Sequence, residues 1–183
     1  MNRRDAISNV ALLLGGSILG AEMFLSGCKN ADTAAGAAMF SSKDIALLNE
    51  IAETILPKTD TPGAKEAKVG DFMTVIVRDC YKPEEAAAFV AGMKTLEEAC
   101  QKKNSKAFMD CSPEERKALL TELDAEQKAF QAKKKPEEMP HYFRMMKELT
   151  LWGFFTSEIG ATQVLRYVAV PGKYDGNFPY KKG

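Results

Sequence analysis

The chain has 183 residues, of which 45% are hydrophobic and 27% charged, with Lys+Arg and Asp+Glu balanced at 25 each. That is enough chain for one domain with a real core, and zero net charge removes the electrostatic reason to bind nucleic acid. The single dense basic run, Lys133-Lys134-Lys135, is answered at once by Glu137 and Glu138 and reads as a solvated helix end or loop.

Taken in chain order, the first segment reads as an export signal over residues 1–27. Arg3 and Arg4 form a positive start, Val10 to Leu14 and Ile18-Leu19 an apolar stretch, and Leu25-Ser26-Gly27-Cys28 a close. The apolar part is too short and too glycine-rich to span a bilayer, which fits a signal peptide. Leu-Ser-Gly-Cys matches the bacterial lipobox, so Cys28 is the expected lipidation site, and two or three acyl chains anchor stably. The competing reading is an uncleaved N-terminal anchor with an incidental Cys28. Asn2-Arg3-Arg4-Asp5-Ala6-Ile7 resembles a twin-arginine signal, which carries folded cargo. Ala6 stands where that pattern prefers a large apolar residue, so general secretion stays open. Cleavage removes Arg3, Arg4, Asp5 and Glu22, leaving the mature chain neutral. The expected location is the bacterial cell envelope, periplasmic and tethered to a membrane.

Residues 28–40 are rich in alanine and read as a flexible tether. A helical domain is expected over residues 41–183. Its first helix has Ser42 as N-cap and Ile45, Leu48, Ile51, Ala52 and Ile55 on one face, and stops before Pro57. Lys58 to Gly63 is a turn-rich loop. A second helix starts at Ala64 or Val69 and runs to Asp79, with Phe72, Val75 and Ile76 as the buried stripe. Pro83 opens a third, from Glu84 to about Lys103. Ser112-Pro113-Glu114-Glu115 is a capping box with proline at the first helical position, followed by Leu119, Leu120 and Leu123 on the core side. Lys133 to Pro140 is a link. Tyr142 to about Val168 is the most apolar helical stretch, with Phe143, Met146, Leu149, Trp152, Phe155 and Ile159, and with Gly153 and Gly160 permitting close backbone approach. Pro171 to Gly183 is an extended, turn-punctuated arm. No alternating strand pattern is present, so the fold class is all-α, with about five to six helices.

The chemistry-bearing residues are sparse. His141 is the single histidine, too few for a zinc site built on histidine, and the cysteines lack CxxC spacing. There is no GxGxxG for a dinucleotide and no GxSxG for a serine hydrolase. No catalytic, cofactor-binding or metal residue is therefore assigned. Three thiols remain after lipidation. Cys80 and Cys100 sit at opposite ends of one helix, about 30 Å apart at 1.5 Å per residue, beyond disulfide reach. Cys100 and Cys111 flank a helix–helix turn and can meet, leaving Cys80 as a buried free thiol.

Three stretches carry a family likeness. They are Leu47-Leu48-Asn49-Glu50-Ile51-Ala52-Glu53-Thr54-Ile55-Leu56-Pro57 with Thr61-Pro62-Gly63-Ala64; Phe108 to Leu120 around Ser112-Pro113-Glu114-Glu115-Arg116; and Trp152-Gly153-Phe154-Phe155-Thr156-Ser157-Glu158-Ile159-Gly160 leading to Tyr167 and Val170-Pro171-Gly172-Lys173-Tyr174-Asp175-Gly176. In this order the chain resembles subunit 3, the small or gamma subunit, of the gluconate 2-dehydrogenase family. The resemblance implies a non-catalytic partner of a separate FAD-carrying flavoprotein of the glucose–methanol–choline type. That flavoprotein oxidises a sugar, sugar acid or polyol and passes electrons on, in some complexes to a cytochrome c. It also implies an escort that brings the folded flavoprotein through the membrane. The lipobox departs from the simplest family pattern and adds a tether.

Neighbours on a helix lie about 100° apart, so Trp152, Phe154 and Phe155 cannot share one narrow stripe. Either the helix is buried all round or one side meets the flavoprotein. Trp152, Phe154 and Phe155, with Tyr174, Phe178 and Tyr180 of the arm, are the expected partner interface. The rival reading is a stand-alone helical envelope lipoprotein with a binding or structural role.

Overall fold

The computed structural model describes residues 39–168 and 172–179. The expected signal with Arg3 and Arg4, the expected lipidation site Cys28, the expected tether up to residue 38 and Tyr180 lie outside the described residues. Among the described residues five α-helices run in order: α1 Ser42–Ile55, α2 Val69–Asp79, α3 Pro83–Asn104, α4 Pro113–Lys133 and α5 Tyr142–Thr156. A 3-10 turn, Phe108–Asp110, links α3 to α4, and a π-helical turn, Gly160–Val164, follows α5. No strand occurs among the described residues, so the chain is all-α. Among these residues no helix is long and apolar enough to cross a membrane.

Phe40 belongs to the folded body rather than to the tether. It is buried and meets the Phe89 ring edge-on, with centroids 6.3 Å apart. The N-cap of α1 is Ser41, one residue earlier than expected. Ser41 has Asp44 three positions on, and the two exchange side chain for backbone: Ser41 N–H donates to Asp44 Oδ2 at 2.7 Å and Asp44 N–H to Ser41 Oγ at 3.3 Å. Ser42 has Ile45 at that position and cannot close such a box. Ser112, Pro113 and Glu115 cap α4 as the sequence predicts.

The most apolar helix, α5, is central and packs against each of the other four. Its Phe143, Met146 and Leu149 meet Leu48 and Ile51 of α1, Met73 and Val77 of α2, and Phe89 and Leu96 of α3 in one core. Fully burying a side chain of this size contributes about 1.5–3 kcal/mol, so this cluster dominates the stability of the fold.

Three expectations are corrected here. The buried face of α2 is Val69, Gly70, Met73 and Val77, whereas Phe72 and Ile76 are only half-buried and Val75 is 44% exposed. Gly70 sets this rotation. A Cβ there would stand 2.7 Å from Asn49 N, so the glycine brings α2 against the backbone of α1 and carries Phe72 and Val75 outward. Helix α5 ends at Thr156, about twelve residues short of the expected Val168. Ser157 takes an extended conformation, its hydroxyl donates to Phe154 O at 2.6 Å and accepts from Gly160 N–H at 3.0 Å, and the chain folds back. Cys80, expected to be buried, caps the C-terminus of α2 and is exposed.

Candidate partner-binding surface

Two regions compete for a functional role: a polar network running from α1 to the 3-10 turn, and an apolar ridge along α2 and α5. The network begins on α1. Glu53 Oε1 accepts from Lys58 N–H at 2.9 Å, and Oε2 accepts from Lys65 N–H at 2.8 Å. One carboxylate thus holds both ends of the Pro-Gly loop. Asn49 Oδ1 accepts from Gly70 N–H at 2.8 Å and seats the start of α2. Glu50 accepts from Lys65 Nζ at 2.6 Å and from Arg116 Nη1. Arg116 also donates through Nε to Phe108 O at 2.9 Å and through Nη2 to Met109 O at 2.6 Å, fixing the 3-10 turn. Its guanidinium lies 5.6 Å from the centre of the Phe108 ring.

Burial works against ionisation of Glu50. The hydrogen bond from Lys65 and the charges of Arg116 and Lys65 outweigh it and hold the carboxyl below its usual range. A groove of about 300 Å³ opens beside this network, lined by Glu53, Lys58 and Arg116 among others. The carboxylates in its wall are already engaged in holding the chain's own loop and turn. The network joins segments up to 66 residues apart, so no local pattern in the sequence announces it as a whole. Only its first part leaves a local trace: Asn49, Glu50 and Glu53 crowd one turn just ahead of a Pro-Gly loop.

The ridge differs in every respect. Trp152 is 51% exposed although its ring meets Phe72 edge-on at 5.4 Å. Phe72 in turn lies over Gly153, where a Cβ would come within 2.6 Å of the ring. Val75, Leu151 and Phe155 are exposed as well. The indole of Trp152 is thus seated on Phe72 while half of it faces solvent. Of the predicted interface residues on α5, Trp152 and Phe155 face outward and Phe154 does not. Phe154 is in the core, because it lies four residues after Thr150 and eight after Met146 on the buried face of α5. It offers nothing to a partner.

The arm is exposed over residues 172–179. Tyr174 is 96% exposed, while Phe178 is half-covered, its ring 5.4 Å from the Arg166 guanidinium. Arg166 also donates to Pro179 O at 2.5 Å, so the arm doubles back on residue 166. His141, the single histidine, caps α5: its Nδ1 accepts from Phe143 N–H at 3.2 Å. Among the described residues no group of three or more His, Cys, Asp or Glu is placed to hold a metal ion.

No curated protein and no solved structure matches the chain. One family model does, over residues 42–172, from the first residue of α1 to the beginning of the arm. That span contains the polar network, the ridge and the capping box of α4. It is most of the chain, and the protein therefore belongs to the gluconate 2-dehydrogenase subunit 3 family.

Proposed function

We propose that this chain is the non-catalytic small subunit of a membrane-associated, FAD-dependent dehydrogenase complex, and that it docks its flavoprotein on the α2–α5 ridge. The observation that carries this reading is Trp152. Half of a rigidly seated indole faces solvent in a ridge shared with Val75, Leu151 and Phe155. Exposed aromatic anchors of this kind dominate protein–protein binding energy. The family supplies the class of partner. On this reading FAD belongs to a glucose–methanol–choline type flavoprotein acting on a sugar, sugar acid or polyol, which passes the electrons to an acceptor such as a cytochrome c. The part of this chain is to bind and hold that protein. Arg3 and Arg4 direct joint export, and Cys28 carries the lipid that ties the complex to the membrane.

The test is to purify the tagged full chain from a mild-detergent membrane extract. The expected result is co-purification of a yellow protein with flavin absorbance. A colourless monomer would instead favour a stand-alone envelope lipoprotein. Replacing both Arg3 and Arg4 with Lys is expected to leave the two proteins in the cytoplasm. Undisturbed export of the pair would sink the twin-arginine part while leaving the docking part intact.

A further inference from the structure

Cys100 and Cys111 have no part in the docking surface, yet the fold brings them together. Cys100 lies in the last turn of α3 and is fully buried; Cys111 follows the 3-10 turn and is 5% exposed. Their Sγ atoms are 3.4 Å apart, with both residues present as thiols. A disulfide requires about 2.05 Å, so small side-chain rotations close the gap without moving a helix. Nothing about the cysteines themselves is needed to hold them there. Glu97 accepts from Phe108 N–H at 3.2 Å, and Arg116 binds the carbonyls of Phe108 and Met109. The capping box at Ser112 fixes the next residue. The turn is therefore pinned on both sides of the pair. Asn104 Nδ2 lies 3.4 Å from Cys111 Sγ and 3.7 Å from Cys100 Sγ, a polar donor beside the two sulfurs.

We propose that Cys100 and Cys111 are a built disulfide site, which a small-molecule or protein disulfide closes into a cross-link between the end of α3 and the start of α4. The step balances through thiol–disulfide exchange. The Cys111 thiol, the more accessible, loses its proton and attacks the oxidant's disulfide, releasing one thiolate. Cys100 then loses its proton and displaces the second oxidant thiol from the mixed disulfide. Two protons and two electrons leave the cysteine pair, and the oxidant is reduced to two thiols. Burial, with Cys111 beside it, pushes the Cys100 thiol up to about 11. Both displacements run through thiolates, so closure of the cross-link accelerates as pH rises. Cys80, exposed at the end of α2, stays outside the cross-link.

The full chain, reduced and then exposed to oxidised glutathione under native conditions, is alkylated and digested with trypsin without reduction. Cleavage after Lys94, Lys102, Lys106 and Arg116 places Cys100 and Cys111 on separate peptides, so the cross-link appears as one linked pair. The expected result is that pair, with Cys80 still alkylated or carrying only glutathione, and a Tm higher by several degrees than in the reduced chain. Cys100→Ser and Cys111→Ser should each abolish both the pair and the Tm difference, while Cys80→Ser keeps both. Recovery of Cys100 and Cys111 as alkylated thiols, as glutathione adducts or linked to Cys80 would overturn the proposal. So would a linked pair that appears only when the chain is oxidised in denaturant.

Discussion

The network around Arg116 and the ridge around Trp152 both fall within the matched family span, but they solve opposite problems. In the first, Glu53, Glu50, Asn49 and Arg116 turn toward the chain's own loops, and each finds a partner there. In the second, Trp152, Phe155, Leu151 and Val75 are seated by the core and still face water. Membership of a family span therefore says nothing by itself about what a residue does. The question is whether its demands are met within the polypeptide. Polar groups satisfied internally hold the fold, and rigid apolar groups left unsatisfied ask for another surface.

The comparison breaks most sharply at Arg116. Arg116→Ala leaves the Glu50 carboxylate, whose side chain is 14% exposed, with Lys65 alone, and strips the donors from two carbonyls of the 3-10 turn. Removing one member of a largely buried charged network costs about 3 kcal/mol. A clearly lowered denaturation midpoint at unchanged helix content is expected, with partner binding retained in the fraction that folds. A variant as stable as the parent but unable to bind would move the functional site to this network.

Trp152→Ala tests the other side. The side chain is half-exposed, so folding should lose only about 1 kcal/mol, from the lost packing on Phe72. Affinity for the flavoprotein should fall about thirtyfold, equivalent to about 2 kcal/mol, as expected for an interface anchor. Titration of the purified subunits reads the affinity, and thermal unfolding of the free subunit reads the stability. Phe154→Ala is the matched control. It sits two residues away but in the core, so stability should suffer and any binding defect should follow from unfolding alone.

These two neighbours also show what was legible in the sequence. Features closed within a few residues could be read directly: the Ser112–Glu115 box, the proline that opens α3, the proline that stops α1, and the approach of Cys100 to Cys111 across one turn. The helical class followed from periodicity. What failed was set from far along the chain. Which stripe of α2 turns inward depends on Gly70 meeting Asn49, so Phe72 and Val75, the more conspicuous apolar residues, took the outer positions. Phe154 and Phe155 are indistinguishable in type, and which of them turns inward depends on the face of α5 that packs on the other helices, the one carrying Met146 and Thr150. Arg116 and Glu50 are 66 positions apart, and no local pattern joins them.

A second polar cluster, between α4 and α5, tests whether internal satisfaction alone predicts a stabilising role. Asp124 accepts from Lys147 Nζ at 2.6 Å and Gln127 Nε2 at 3.0 Å, and pairs with Lys128 Nζ at 2.8 Å. The hydrogen bonds from Lys128 and Lys147 hold its carboxyl well below the usual carboxylate range. A carboxyl lowered in the folded state stabilises fully above its unfolded value, near pH 4, and loses that contribution as pH falls toward the folded value. Asp124→Asn should cost about 1 kcal/mol at neutral pH, since its lysine partners are partly exposed. The difference from the parent should shrink steadily below pH 4. A constant difference down to pH 2 would show that the loss came from packing, not charge.

The smallest effect on folding is expected in the arm, and there the comparison is most demanding. Tyr174 is 96% exposed, so Tyr174→Ala has almost no packing to lose, and the free subunit should unfold at the same temperature as the parent. If the arm extends the docking surface begun by Trp152, the same substitution should speed dissociation of the complex severalfold, because a phenol ring buried at an interface is lost. Combining Tyr174→Ala with Trp152→Ala then separates two geometries. Additive losses would place the two rings on independent patches of the partner. A double variant no worse than Trp152→Ala alone would mean that the arm engages only after the ridge has docked, making α2 and α5 the primary contact and the arm a latch upon it.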